Sequence, residues 1–197
     1  MSQELKINID KTAIVVIDLQ KGIASIPVAP YTAGEVAKNT ARLLTAFREN
    51  KAPVFLVHVT PSPDMKDTLR PVSETSFNIR QYSPEWSEYL PELNVQPADF
   101  QIIKHQWGAF YGTELDLQLR RRGINTIILC GISTNIGVES TARYAYELGY
   151  NQIFVEDAMS AMIKEGHEAS LKYVFPRLGL IRKTDEVLTA IKNAAKE

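Results

Sequence analysis

Three places in this chain combine residue types that could do chemistry. Asp18 comes directly after the apolar run AIVVI, Lys104 ends FQIIK, and the segment GISTNIGVESTARYA (Gly131 to Ala145) follows TIILC. A carboxylate can give or take a proton during a reaction, and an ammonium can steady developing negative charge. A turn that opens a helix adds N–H groups without partners inside the helix, which suit an anion or oxyanion. Within that turn Ser133, Thr134 and Asn135 are cap-forming types. Gly137, where a nucleophile would be presented, has no side chain. Each place also has a plainer use: Asp18 as a turn former, Lys104 as a solvated charge, and the turn as packing.

The elements that must position these residues alternate along the chain. Strands are expected at Thr12 to Gln20, Pro53 to Val59, Phe100 to Trp107, in TIILC, and at Gln152 to Asp157, with Leu180 to Thr184 as a last edge strand. The first run is continuously apolar, as in a strand covered on both faces. Helices are expected at about 33–50, in GTELDLQLRRRG with Thr113 as N-cap and Gly123 as stop, and after TIILC. Two more follow, at about 165–174 and in TDEVLTAIKNAAK, the last capped by Thr184. Such alternation predicts one α/β domain over residues 1–197, with a mostly parallel sheet, helices on both faces and right-handed crossovers. Ligands bind outside the carboxyl ends of such strands. Asp18, Lys104 and the Gly137 turn all lie at such ends.

Between the second and third strands runs a stretch rich in Pro, Ser and aromatic residues, Thr60 to Ala98, with one short helix expected near Pro84 to Leu90. Loops this long are usually lids or binding loops. It carries Arg70 and Arg80, either of which could bind a substrate carboxylate or merely face solvent. Trp107, Phe110 and Tyr111, just after Lys104, could form a pocket wall or pack in the core.

Composition narrows the functional classes. Formal net charge is −1, and the only basic cluster, Arg120 to Arg122, sits late in an expected helix where cations suit the dipole. Nucleic-acid binding, which rests on clustered Lys and Arg, is not expected. No apolar stretch approaches the roughly 20 residues of a membrane span, and the polar N-terminus lacks a signal-peptide apolar region. With one cysteine, Cys130, there is no intramolecular disulfide, and a cytoplasmic location is expected. Neither a dinucleotide fingerprint nor a P-loop is present, so no cofactor is expected.

Three motifs in order, AIVVIDLQ, IIKHQWGAFYGTEL and CGISTNIGVESTARYAYELGY, resemble the isochorismatase-like hydrolases, also called the cysteine hydrolase family. The likeness runs from about Lys11 to the final helix and is closest to the YecD-type branch, which carries glycine in the nucleophile position. It implies a three-layer α/β/α fold, a parallel sheet of about six strands, a homo-oligomer (dimer or tetramer) and a catalytic Asp, Lys and Cys. Asp18 and Lys104 match the first two positions; Gly137 stands in the third, in the pattern Ser133-Thr134-Asn135-Ile136-Gly137-Val138. The resemblance further implies a cis peptide at Ile132–Ser133 that orients an oxyanion donor. Metal-binding members use an Asp-x-His pair with further histidines; His58, His105 and His167 do not reproduce that spacing, so no metal is expected.

The chemistry implied is hydrolysis of a small organic acid, a vinyl ether or an amide by Asp18 and Lys104, without a covalent thiol step. Cys130, inside an apolar strand, is a poor substitute because burial disfavours the thiolate. In the vinyl-ether route Asp18 is the general acid, yet a neighbouring ammonium lowers a carboxyl pKa while burial raises it. Two alternatives stand beside this: amide hydrolysis by water with Asp18 as base, and a binding or regulatory protein without catalysis.

Overall fold

The computed structural model describes residues 5–75 and 83–194. Six strands form one sheet: β1 (Thr12–Ile17), β2 (Val54–Val59), β3 (Phe100–Lys104), β4 (Thr126–Ile132), β5 (Asn151–Ser160) and β6 (Leu180–Arg182). Their spatial order is β3-β2-β1-β4-β5-β6, and every neighbouring pair is parallel. The helices are α1 (Lys21–Ala24), α2 (Ala33–Glu49), α3 (Leu115–Arg121), α4 (Glu139–Glu147), α5 (Lys164–Ala169), α6 (Phe175–Leu178) and α7 (Thr184–Ala194).

The continuous apolar runs take the centre of the sheet because both faces there are covered. All six β1 residues are buried, as are the last six of β4. One face, with Ile14, Val16, Leu56 and Ile128, packs on Val36, Leu43, Leu44 and Phe47 of α2 and Val187 and Ile191 of α7. The other, with Val15, Ile17, Val57 and Leu129, packs on Leu115 and Leu119 of α3, Ala142 and Ala145 of α4 and Phe175 of α6. The result is the expected three-layer α/β/α arrangement. Strand order reverses between β1 and β4, so a crevice opens at their carboxyl ends.

Local chemistry moved several boundaries. The helix expected at 165–174 breaks into α5, a wide π-type turn over Ser170–Val174, and α6. Pro176, in the first turn of α6, has no N–H to donate, and its ring conflicts with the carbonyl four residues earlier. Thr184 does not cap α7: its N–H and hydroxyl both donate to Asp157 Oδ1, at 2.7 Å each. A carboxylate from β5 thus satisfies the helix start. Thr113 lies one residue outside the position expected, its Oγ1 accepting from Leu115 N–H at 3.2 Å. Gly123 does end that helix region, with φ of 64°. In the long connection, two short 3-10 turns, Pro84–Ser87 and Pro91–Leu93, replace the single expected helix.

At the end of β4 the sheet requires a glycine. Gly131 has φ of 117°, and a Cβ there would lie 2.0 Å from the Ile17 carbonyl oxygen. Backbone cannot yield as a flexible side chain can, so Gly131→Ala is expected to destabilise the chain by about 3 kcal/mol, combining strain with overpacking. Equilibrium urea unfolding measures this; a midpoint equal to wild type would disprove the constraint.

Candidate active site

β1 hands the chain to Asp18 in a left-handed conformation, φ 51°, which Asp tolerates better than most side chains. Its N–H continues the ladder by donating to Val57 O at 2.9 Å. Lys104, the last residue of β3, reaches past β2 and places Nζ 2.7 Å from Asp18 Oδ2. Both side chains are nearly sealed from water, at 8% and 3% exposure. The same Nζ donates to Gln106 O at 3.0 Å. Asp18 Oδ1, by contrast, is buried without a hydrogen-bond partner.

The electrostatics of the pair are asymmetric. Burial raises the Asp18 carboxyl above its ordinary range, outweighing the charge and hydrogen bond of Lys104 and the field of His58, which pull it down. Desolvation disfavours the charged form, and here it is the larger effect.

The third component comes from β4. The Ile132–Ser133 peptide is cis, and the chain then forms a wide π-type turn, Thr134–Val138, that runs into α4. Gly137 faces the pair directly: a Cβ there would lie 3.2 Å from Asp18 Oδ2 and 2.9 Å from Ile17 Cγ2. Internal bonds occupy the turn's hydroxyls. Ser133 Oγ donates to Asn135 Oδ1 at 2.9 Å, and Thr134 Oγ1 lies 2.9 Å from His167 Nδ1. The N–H groups of Ile136 and Val138 also turn inward, donating to Ser133 O at 3.2 and 3.1 Å, so the part of the turn set against the pair is the Gly137 backbone. Thr141 secures it from behind, donating to Gly137 O at 2.7 Å while accepting from Ala109 N–H at 3.1 Å.

The structure thus brings Asp18, Lys104 and Gly137 together, and it separates the aromatic candidates. Trp107 contributes its carbonyl oxygen, 3.6 Å from the Gly137 Cβ position, while its side chain is exposed. Phe110 is a core residue, stacked between Tyr144 and Tyr150 at 6.0 and 5.7 Å. Tyr111 is exposed. Arg70 lies on an exposed loop and bonds Thr68 Oγ1 at 3.2 Å, and Arg80 lies outside the described residues. Cys130 is fully buried on the α2 face, its thiol pushed up to about 12 by desolvation.

Some positioning residues had no place in the sequence-based expectation. Gln20 is buried at the end of the β1 run. Its amide donates to Val59 O and Trp86 O and accepts from Val59 N–H, tying the ends of β1 and β2 to the long connection. A buried glutamine ending an apolar run was the available signal. His58 donates Nδ1–H to Ser87 O at 2.8 Å, because a carbonyl can only accept, and stacks on Tyr89. His105 pairs with Asp67 at 3.0 Å. Among the described residues no His, Cys, Asp and Glu side chains gather as a metal would need, and no helix is long and apolar enough to cross a membrane. A shallow cavity of about 500 Å³, lined by Thr126, Tyr146, Asn151 and Leu180 among others, lies at the amino ends of β4 and β5. That is the opposite pole from Asp18.

Residues 12–186 match the isochorismatase domain model. The chain is similar to the isochorismatase family protein YwoC of Bacillus subtilis, with 48% identity covering 98% of this chain and all of that one. It is also similar to YecD of Escherichia coli O157:H7, with 47% identity over 95% of this chain and all of that protein. An isochorismatase family protein from Burkholderia thailandensis superposes with a TM-score of 0.91 at 45% identity, covering 95% and 98% of the two chains. In sequence and in fold, the chain belongs to the isochorismatase family of hydrolases.

Proposed function

We propose that this hydrolase cleaves a vinyl ether of a small organic acid, with Asp18 as general acid and no covalent enzyme intermediate. The observation that carries the proposal is the state of Asp18: burial raises its carboxyl despite Lys104, and Oδ1 has no partner in the protein. Because Lys104 donates to Oδ2, the protonated acid would carry its proton on Oδ1. Gly137 stands in the position where cysteine hydrolases present their thiol, beside Asp18 Oδ2.

The reaction needs an acid at carbon and a water. Asp18 Oδ1 gives its proton to the terminal enol carbon, whose π electrons form the new C–H bond and leave an oxocarbenium ion. Water adds to that ion and loses a proton to the Asp18 carboxylate. The hemiketal then collapses to a ketone and an alcohol, so the net change is addition of one water across the ether bond. When Asp18 is protonated, the buried Lys104 ammonium has no counter-charge, which favours a substrate carrying a carboxylate. The Gly137 backbone, set against Asp18 with no side chain between, supplies a second hold on that anion.

Related chains agree with hydrolysis at such a site. A probable isochorismatase of Pseudomonas chlororaphis is 26% identical over 91% of this chain, and the ureidoacrylate amidohydrolase RutB of Azorhizobium caulinodans is 29% identical over 87%. Their names point to isochorismate and to a ureidoacrylate amide, so isochorismate and a panel of amides are the substrates to compare.

Isochorismate turnover is expected in the wild type, with a loss of about 10²- to 10⁴-fold in Asp18→Asn, the usual range for a general acid. Turnover of amides alone would transfer the site to water-based amide hydrolysis, and no turnover of either would leave a binding protein. The pH profile tests the proton's direction. A working acid must be protonated, so kcat/KM is expected to hold at low pH and fall as pH rises through an Asp18 pKa above the ordinary carboxylate range. A rate that climbs with pH through that region would make Asp18 a base. Iodoacetamide should leave activity intact and label Cys130 only after unfolding; stoichiometric inactivation of the native enzyme would refute the thiol-free route.

A further inference from the structure

The wide turn that carries Gly137 is held from outside by one short segment of chain. α5 and the turn after it touch it at three successive points. Gly166 allows the Asn135 amide to approach, since a Cβ at Gly166 would lie 2.8 Å from Asn135 Nδ2. His167 Nδ1 lies 2.9 Å from Thr134 Oγ1. Ser170 Oγ donates to Glu139 Oε2 at 2.6 Å. These contacts reach both ends of the Gly137 turn, at Thr134 and Asn135 and at Glu139, the first residue of α4.

Among them the His167–Thr134 bond is the only one sealed from water. His167 is 2% exposed and Thr134 fully buried. Tyr31 closes the other side with its ring edge-on to the imidazole at 6.1 Å. A buried hydrogen bond is expensive to leave unmade, so it holds its two ends in one geometry. The exposed Asn135 has no comparable grip.

We infer that His167 is a positioning residue for the Gly137 turn, acting through Thr134 to fix the Gly137 backbone where it meets Asp18 Oδ2. The imidazole is neutral in this role, since burial lowers its pKa more than the neighbouring Glu168 raises it. It touches no substrate. The inference rests on the proposed reading in one respect, that the Gly137 backbone binds the substrate's anionic part.

Two variants separate positioning from general support. His167→Ala removes the bond, while His167→Asn puts an amide near the Nδ1 position and can restore it. The chain has ten glycines, so ¹⁵N-glycine labelling gives a sparse spectrum in which the Gly137 amide can be followed once assigned. In His167→Ala the Gly137 resonance is expected to shift or broaden while Gly22, Gly34 and Gly149 stay in place; in His167→Asn it returns toward wild type. Isochorismate kcat/KM should fall roughly tenfold in the first variant and recover in the second, because small misplacement of binding groups is costly. Should His167→Ala fail to fold, Thr134→Val removes the other end of the bond and should move Gly137 in the same way. An unmoved Gly137 resonance in folded His167→Ala or Thr134→Val, or an Asn variant no closer to wild type than Ala, overturns the inference. Absence of isochorismate turnover in the wild type would count against the proposed reaction alone, since the resonance still decides whether His167 sets the turn.

Discussion

The buried contact between Lys104 Nζ and Asp18 Oδ2, 2.7 Å long, is the interaction on which the candidate site depends. Its partners stand at the ends of β1 and β3 with β2 between them, so the pair exists only if three strands finish at the same height. The ladders set that height: Ile17 lies opposite Val57, and Val59 opposite Lys104. A slip of one residue between β2 and β3 would turn Lys104 to the other face of the sheet. Removing one partner would leave the other buried without its hydrogen bond, which costs more than an exposed contact of the same kind. The pair is therefore a strict reporter of correct register.

Close approach is the second constraint, and glycine meets it twice at the switch between β1 and β4. At Gly131 the β4 backbone passes against the Ile17 carbonyl, and at Gly137 the following turn presses on Ile17 Cγ2 and Asp18 Oδ2. Both contacts fall on the last residues of β1. A side chain at 137 would start 2.9 Å from Ile17 Cγ2 and 3.2 Å from Asp18 Oδ2 and would enter only if those side-chain ends shifted, so with glycine the turn delivers backbone to the pair. Gln20, two residues beyond Asp18, ties this end of β1 to β2 and the long connection. On the side of β1 the backbone of Asp18 and the amide of Gln20 have fixed partners, while Asp18 Oδ1 has none.

Much of this was legible in the sequence because the strongest signals are physical ones. Apolar-rich runs ending in Asp18 and Lys104 located the sheet and brought those two residues to its carboxyl end, and the strict alternation of runs and helices pointed to the three layers. What sequence could not supply was the choice between competing partners. Thr184 looks like a cap, yet Asp157 from β5 reaches the helix start first. Phe110 follows Lys104 by six residues and looks like a pocket wall, but stacking with Tyr144 and Tyr150 draws it into the core. Ser133 and Thr134 have the right chemistry for a ligand, and Asn135 and His167 take their hydroxyls instead. The role of His167 was hidden for the same reason: a lone histidine on a helix acquires meaning only when the fold sets it against Thr134. The balance of burial against charge at Asp18 was likewise open until its surroundings were fixed.

On the proposed reading, that balance bears on why a glycine at position 137 suits acid catalysis. Thiol chemistry and vinyl-ether hydrolysis ask opposite things of Asp18: one needs it ionised to take a proton, the other needs it protonated to give one. A thiol at position 137 would project toward Asp18 Oδ2 and could donate to it, and a hydrogen bond to the charged form of a carboxyl lowers its pKa. Without a side chain there, Lys104 supplies the one side-chain hydrogen bond among the groups that lower the Asp18 pKa, and burial prevails over it. On the proposed reading, then, the glycine does more than remove a nucleophile. By withholding a donor from Asp18 it helps to keep the proton on the acid, so that one absent side chain both closes the covalent route and favours the acid-catalysed one.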